Sequence, residues 1–472
     1  MDAAVRRVTR KQFASTLSAA LCAPVFRAVP GAGAQSIPAK PPPGRVAAEI
    51  RDEFLHGWRG YRRVAWGRDE VLPVSGGAHE FFVPGHSFGL SIIEALDTLY
   101  VMGLDDELTA AVSWLRDNLT FDVDGEVQVF EAIIRMVGGL LAGYAATGER
   151  FMLDRAKDLG DRLLPAFMKS PTGAPYRYVN LRSGAVREAH SNLAEIASNL
   201  LEFGELSRLT GVASYRAASM KAYRAVIDRR SSLDLLGTDF DVERGTWLGN
   251  VSVAPNPPAD SFYEYLWGGY RLFSDPQLLE WYRVLTKAML AHQIDKVKGS
   301  LWFRQVDMRT GEPAGQVQSE LAAFYAGLLA KGGNRETGAK YFQTWRGISD
   351  RYALIPEEID YATGSITDGR HWLRPEYANS AFDLWRLTHD ERYRQAAYAY
   401  FTAQRTHCRV SGGYTVILDV RPRPMKRGDL TPGYWFAENM KYLYLTFTQT
   451  PRFDDRTAYL STEGKILRGL VR

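Results

Sequence analysis

Cysteine is nearly absent: two occur in 472 residues, Cys22 and Cys408. Cys22 lies in a leader-like stretch, and Leu21 before it argues against a lipoprotein anchor. Cys408 then stands alone, so no intrachain disulfide is expected. Histidine is sparse too. His56, His79, His86, His190, His292, His371, His389 and His407 show no close pairing of the kind zinc sites use, so zinc is not expected. No G-x-S-x-G elbow supports a serine nucleophile, and no glycine-rich phosphate loop lies between a strand and a helix. Beyond the leader, no uninterrupted apolar run approaches the roughly 18 residues of a membrane span, and none is expected.

A charge of one sign is also lacking once the formal +4 is located. Arg6, Arg7, Arg10, Lys11 and Arg27 stand in the first 34 residues against Asp2 alone, and the remainder balances. A near-neutral chain is not expected to bind nucleic acid or an anionic membrane. The basic start, the interrupted apolar stretch Phe13 to Phe26 and Ala32-Gly33-Ala34 read as an export signal over 1–34, with Thr9-Arg10-Lys11-Gln12-Phe13 a variant twin-arginine motif. Residues 35–45 read as a stiff proline-rich linker and 46–472 as a single domain, exported to the periplasm or the medium. A monomer is expected.

What the chain does have is 46% apolar and 12% aromatic residues, enough for a large core, and acids placed where a core should be. Glu131, Glu202, Asp260, Glu264, Glu376 and Glu438 all sit inside apolar, helix-forming segments. One such acid is often the solvated edge of an amphipathic stripe. Six imply a common polar centre, because a buried carboxylate costs several kcal/mol unless paired, hydrogen-bonded or metal-associated. Arg135, four residues after Glu131, and Arg374, two before Glu376, are candidate partners.

From residue 46 onward the pattern is helix, short break, helix. Breaks at 102–106, 147–150, 210–213, 273–275, 332–334, 388–391 and 448–451 recur roughly 45 to 63 residues apart, which predicts seven helical hairpins. Turn-rich segments at 170–173, 180–184, 308–313 and 362–364 are expected to carry short β-hairpins. The more apolar helix of each pair carries the acids. Apolar helices facing inward would close as an all-α barrel and bring the acids to one end, whereas an open solenoid would spread them apart.

Carboxylates without soft ligands leave acid–base chemistry, alone or with a hard cation that takes oxygen donors. Phe130, Phe203, Phe262, Tyr263, Trp372, Tyr434, Trp435 and Phe436 interleave with the acids. Such residues are core more often than ligand platforms, but beside carboxylates and arginines they suit a sugar, and paired acids with aromatic walls compose a glycosidase pocket.

Six segments then carry a resemblance. Ser91-Ile92-Ile93-Glu94-Ala95-Leu96-Asp97-Thr98-Leu99, Val129-Phe130-Glu131 with Arg135, Ala259-Asp260-Ser261-Phe262-Tyr263-Glu264-Tyr265-Leu266, Leu373-Arg374-Pro375-Glu376, Ala437-Glu438 with Lys441-Tyr442-Leu443-Tyr444-Leu445, and Ser461-Thr462-Glu463 resemble in order and spacing the motif set of glycoside hydrolase family 47, the class I α-1,2-mannosidases. The likeness runs from about residue 50 to 465 and is to a bacterial member. It implies an (α/α)7 barrel and a calcium-dependent inverting hydrolase that removes terminal α-1,2-linked mannose from a mannose-containing oligosaccharide. By the same resemblance Thr462 holds Ca2+ through its hydroxyl and carbonyl, with waters oriented by acids. Glu376 is the general base. Glu131, acting through a water, and Asp260 are competing choices for the general acid. Arg135, Glu202, Glu264, Arg374, Tyr434, Glu438 and Glu463 shape the sugar site and the surroundings of the cation.

The chain departs from the family at several points. Glu94 stands where Asp is usual, Glu320 where many members have His, only Thr462-Glu463 survives of the usual closing motif, the eukaryotic disulfide is missing, and Pro257-Pro258 precedes Asp260 in a loop tied to branch preference. The alternatives are a lectin-like relative that binds the glycan without turnover and a helical-barrel sugar epimerase. The first would not need both an acid and a base; the second would want a histidine pair.

Overall fold

Two patterns of burial separate the helices into two layers. Pro43–Val64 (α1) is followed by Leu90–Val101 (α2), which is buried along its whole length except Tyr100. Asp105–Asn118 (α3) instead buries Leu108, Ala111, Val112 and Leu115, a single helical stripe. A helix apolar all round belongs inside, and an amphipathic one outside.

The computed structural model, which describes residues 41–454 and 456–471, repeats this pairing around a ring. Inner Gly138–Thr147 (α4) is followed by outer Arg150–Leu163 (α5), and Leu200–Thr210 (α6) by Ser214–Ile227 (α7). Asp260–Phe273 (α8) precedes Pro276–His292 (α9), and Tyr325–Lys331 (α10) precedes Arg335–Tyr352 (α11). Glu376–Thr388 (α12) leads to Glu391–His407 (α13), and Met440–Phe447 (α14) is the last inner helix. Inner neighbours pack in order, with α8 meeting α10 through Tyr263 edge-on to Tyr325, ring centroids 6.3 Å apart. The turn before α14 packs on α2 and closes the ring.

The expected (α/α)7 barrel is present, with one difference in how the seventh pair forms. The break at 448–451 leads to no helix; α1, the first outer helix, packs on α14 and completes the pair. The remaining chain instead makes a tight hairpin, bridged at Leu460 and Ile466, with Ser461, Glu463 and Lys465 buried. Its flanks are tied to the C-terminal ends of inner helices: Arg452 Nη1 donates to Tyr100 O and Arg468 Nη1 to Leu272 O. The hairpin therefore enters the ring from the end opposite the inner helices' N-termini.

Short antiparallel sheets of two or three strands fill the connections. Three of the four turn-rich segments form hairpins: Tyr178–Asn180 with Val186–Arg187, Gln305–Asp307 with Pro313–Gly315, and Glu358–Asp360 with Ser365–Asp368. The expected leader, 1–34, and most of the linker lie outside the described residues. Helix α1 already starts at Pro43, inside the expected linker, because proline suits a first helical position, where its missing N–H has no partner to lose. The run Val129–Thr147 is the one helical stretch among the described residues long and apolar enough to cross a membrane, and 78% of that window is buried inside the protein.

Close packing of α2 on α4 depends on Gly139. A Cβ there would lie 2.6 Å from Ile93 Cγ2 and 2.7 Å from the Ile93 carbonyl oxygen, and a backbone atom cannot swing aside. Alanine in place of glycine would gain about 1 kcal/mol of helix propensity, but overpacking of this kind costs about 1–3 kcal/mol. Gly139→Ala is thus expected to be destabilising overall, read as a lower urea midpoint with an unchanged m-value.

Candidate active site

The acids of the inner helices lie toward their N-terminal ends, where the helix dipole and free amides favour negative charge. Asp260 opens α8 and accepts hydrogen bonds from its own and the Ser261 amide; Glu376 opens α12 and accepts from its own amide. Glu131 immediately precedes, and Arg135 lies within, a π-helical turn, Ala132–Val137, that leads into α4, and Glu438 lies in a second, Trp435–Asn439, before α14. Such wide turns rotate side chains out of α-helical register and recur at functional sites.

These ends surround a cavity of about 210 Å³, joined to a smaller one of about 30 Å³ toward the barrel interior. Both have Asp260, Glu376, Glu438 and Thr462 in their walls. Glu131, Arg135, Arg374, Tyr434 and Glu463 line the larger cavity, and Glu264 the smaller. Glu131, Asp260 and Glu376 keep part of their surface open to solvent, whereas Glu264, Glu438 and Glu463 are buried. Three acids can thus reach a bound molecule, with others packed beneath.

Arginine and lysine compensate part of this charge. Arg135 Nε donates to Glu131 Oε2 at 2.6 Å, and its Nη1 to Glu463 Oε2 at 2.8 Å and Glu94 Oε1 at 3.2 Å. Beneath it, fully buried Lys465 donates to Glu94 O, and Lys441 donates to Asp97 Oδ2 and Gly464 O, both at 2.7 Å. Burial pulls the Lys441 ammonium down to about 8. Two guanidiniums approach the Tyr434 ring, Arg135 at 5.7 Å and Arg374 at 5.5 Å from its centroid, and the Tyr434 hydroxyl donates to Trp372 O.

The compensation is incomplete. Burial pushes Glu376 up to about 8 against the pull of Arg374, Glu264 up to about 7 and Asp260 up to about 6. It pushes Glu463 up to about 8 despite Arg135, and raises Glu438, which also faces Glu463 and Glu376. Glu376 Oε2 and Glu202 Oε2 are buried with no protein partner. Among the described residues no three His, Cys, Asp or Glu side chains are grouped as direct ligands of a metal ion.

Five of the six acids singled out in the sequence meet on these cavities. Glu202 does not reach them: it is fully buried behind the 460–466 hairpin, where Tyr265 donates to it at 2.9 Å and burial pushes it up to about 8. Of the eight aromatics, Phe130 and Tyr434 line the larger cavity, Phe203, Phe262, Tyr263, Trp435 and Phe436 are core, and Trp372 is partly buried against that core. Arg374 donates to Glu357 at 3.1 and 3.2 Å, a partner that sequence reading missed. Glu195 and Asn192, on the outer wall, were missed as well. The acid at Glu195 has the same apolar flanks as Glu202, and that was the available signal.

Comparison with known proteins agrees with this geometry. The chain is 35% identical over 427 residues to human mannosyl-oligosaccharide 1,2-alpha-mannosidase IB, covering 85% of this chain and 66% of that protein. It is 32% identical over 428 residues to the pig mannosyl-oligosaccharide 1,2-alpha-mannosidase IA, covering 85% and 64%. The chain thus spans just under two thirds of the length of these relatives. The solved alpha-1,2-mannosidase from Trichoderma reesei superposes with a TM-score of 0.81 at 24% identity, covering 92% of this chain and all of that one. A cellobiose 2-epimerase from Bacillus thermoamylovorans B4167 follows at a TM-score of 0.56 and 13% identity; these two likenesses speak for the fold alone. The pattern of Glycosyl hydrolase family 47 matches residues 53–469, and the chain belongs to this family of glycoside hydrolases.

Proposed function

We propose that the protein is an exported, calcium-dependent, inverting exo-α-1,2-mannosidase that removes terminal mannose from mannose-capped oligosaccharides. The observation that carries the reading is the set of Glu131, Asp260 and Glu376, open to one cavity above a floor of buried acids and Thr462. The names of the relatives supply the linkage and the sugar. The leader supplies export.

Glu376 takes the proton of the attacking water, and Glu131 or Asp260 gives one to the glycosidic oxygen. Asp260, held at about 6 by burial, keeps a proton further toward neutrality than an ordinary aspartate. Glu131 is tied by Arg135 at 2.6 Å, a geometry suited to orienting a water. Tyr434, fixed by its hydroxyl on Trp372 O and by the nearby Arg135 and Arg374 guanidiniums, brings an aromatic ring to the cavity wall, where a sugar's C–H groups would pack.

The residues fit a hard cation in one way: through the oxygens of Thr462, with the surrounding acids acting across water, since no three acids are grouped as direct ligands. The protonation of Glu376 supports it. Burial pushes Glu376 up to about 8, so at pH 7 most of this side chain is protonated, whereas a general base must be ionised. A divalent cation supplies positive charge that favours ionised carboxylates, together with oxygen coordination for sugar hydroxyls.

The test is mannose release from α-1,2-linked mannobiose by the chain lacking 1–34, followed by NMR of the product anomer. β-Mannose as first product, lost with chelator, is expected. Calcium-dependent binding without release would favour the lectin reading. In the same assay Asp260→Asn and Glu131→Gln are each expected to lower kcat about 10²-fold or more. The variant rescued by a substrate with a good leaving group marks the proton donor.

A further inference from the structure

Glu320 belongs to neither cavity wall, yet it is a carboxyl group with no solvent exposure. Its Oε2 lies 3.1 Å from His371 Nδ1 and its Oε1 3.2 Å from the Tyr400 hydroxyl. Both neighbours have a shorter contact elsewhere: His371 Nδ1 is 2.9 Å from Ile355 O, and the Tyr400 hydroxyl 2.7 Å from Arg374 O. Backbone carbonyls can only accept, so those contacts claim the Nδ1 proton and the one hydroxyl proton. A charged imidazolium is disfavoured as well, because its second N–H would sit on Nε2, which is buried without a partner. What Tyr400 turns toward Glu320 is a lone pair. Two bare oxygens at 3.2 Å in a dry interior repel; a proton on the carboxyl converts the contact into a hydrogen bond.

We propose that Glu320 is a neutral carboxylic acid that donates to Tyr400 and thereby positions the Leu373-Arg374-Pro375 turn from which Arg374 and Glu376 enter the active site. This turn needs holding. Leu373 has φ +59°, the left-handed region that disfavours a branched side chain, and Asn439 Nδ2 clamps it from the other side by donating at 3.0 Å to both Leu373 O and Arg374 O. Tyr400 donates to the same Arg374 carbonyl, so the chain from Glu320 ends one peptide before Pro375 and Glu376. The charged and titratable groups around Glu320 are Glu357, Glu376, Arg374, His371, Tyr400 and Cys408. Two acids against one guanidinium add to burial in favouring the protonated form, and Glu320 is raised well above the usual carboxylate range. Glu320 is a positioning residue, and its effect on turnover rests on Glu376 being the base.

Glu320→Gln preserves the hydrogen-bond pattern, with the amide NH2 donating to Tyr400 and the amide oxygen facing His371. Infrared difference spectra of the full chain against this variant at pH 7 are expected to show the carbonyl stretch of a protonated carboxylic acid, lost in the variant. Its kcat is expected to stay within about twofold of the parent, with the acidic limb of the pH profile unmoved. Glu320→Ala and Tyr400→Phe are expected to lose about tenfold in kcat with KM little changed. No band lost, together with an acidic limb about half a unit or more lower in Glu320→Gln, would mean an ionised Glu320 acting on Glu376 by charge, and would overturn the proposal. The infrared band reads the proton whatever Glu376 does, so a Glu376→Gln variant that still turns over would sink the base assignment without touching this result.

Discussion

Glu376→Gln is expected to lower kcat for mannose release by about 10³-fold or more, with KM and the circular dichroism spectrum close to the parent. The amide has the carboxylate's shape but cannot take a proton from water. Little structural cost is expected, because burial already pushes Glu376 up to about 8, so the cation-free enzyme holds this side chain neutral at pH 7 and a neutral amide imposes no new desolvation. Position is preserved too, since Glu376 is the first residue of α12 and follows Pro375, whose ring restricts the backbone. Single-turnover and steady-state kinetics on the same glycan separate the effects. A fall confined to kcat marks a group used in the transition state, whereas a rise in KM alone would make Glu376 a binding residue and remove it from the base role.

Why Glu376 could be named before its neighbours were known is a matter of which interactions are local. Apolar runs such as Leu90–Val101 announce inner helices because burial on all sides leaves no polar face, and charged stripes announce outer ones. An acid in the first turn of such a run, as at Asp260 and Glu376, is legible for the same reason: it breaks the pattern at the one place where helix amides can hold it. Ring closure is not local. Nothing in the periodicity near 448–451 says that the next outer helix was made some four hundred residues earlier, as α1. Partners reached across the ring were likewise hidden. Arg374 was matched to Glu376 because they are two residues apart, and its guanidinium instead meets Glu357, which approaches from another connection. Glu202 shares the sequence context of the cavity acids but lies under the hairpin that carries Thr462, and a hairpin entering from the far end leaves no mark on α6.

Removing the cation is expected both to abolish mannose release at pH 7 and to make stability fall as pH rises. The sign follows from the acids around the cavities. Asp260 rises from 3.8 to about 6 and Glu264 from 4.5 to about 7, while Glu202, Glu376 and Glu463 rise from 4.5 to about 8. Each binds its proton more tightly folded than unfolded. Their contribution to stability is therefore full below about pH 4 and is lost as pH climbs through about 6 to about 8. One such unit on one group is worth about 1.4 kcal/mol, so cation-free protein is expected to lose about 5 °C or more in Tm between pH 5 and pH 8. A bound divalent cation favours the ionised acids, so the calcium-loaded protein should show a flatter profile, and its gain over the chelated form should widen with pH as binding releases protons. Thermal unfolding at pH 5, 6.5 and 8, with chelator or with calcium, reads both curves, and magnesium, which gives up its water reluctantly, should restore less of the gap. Parallel curves, offset equally at every pH, would place the cation away from these acids and remove it from the chemistry of Glu376.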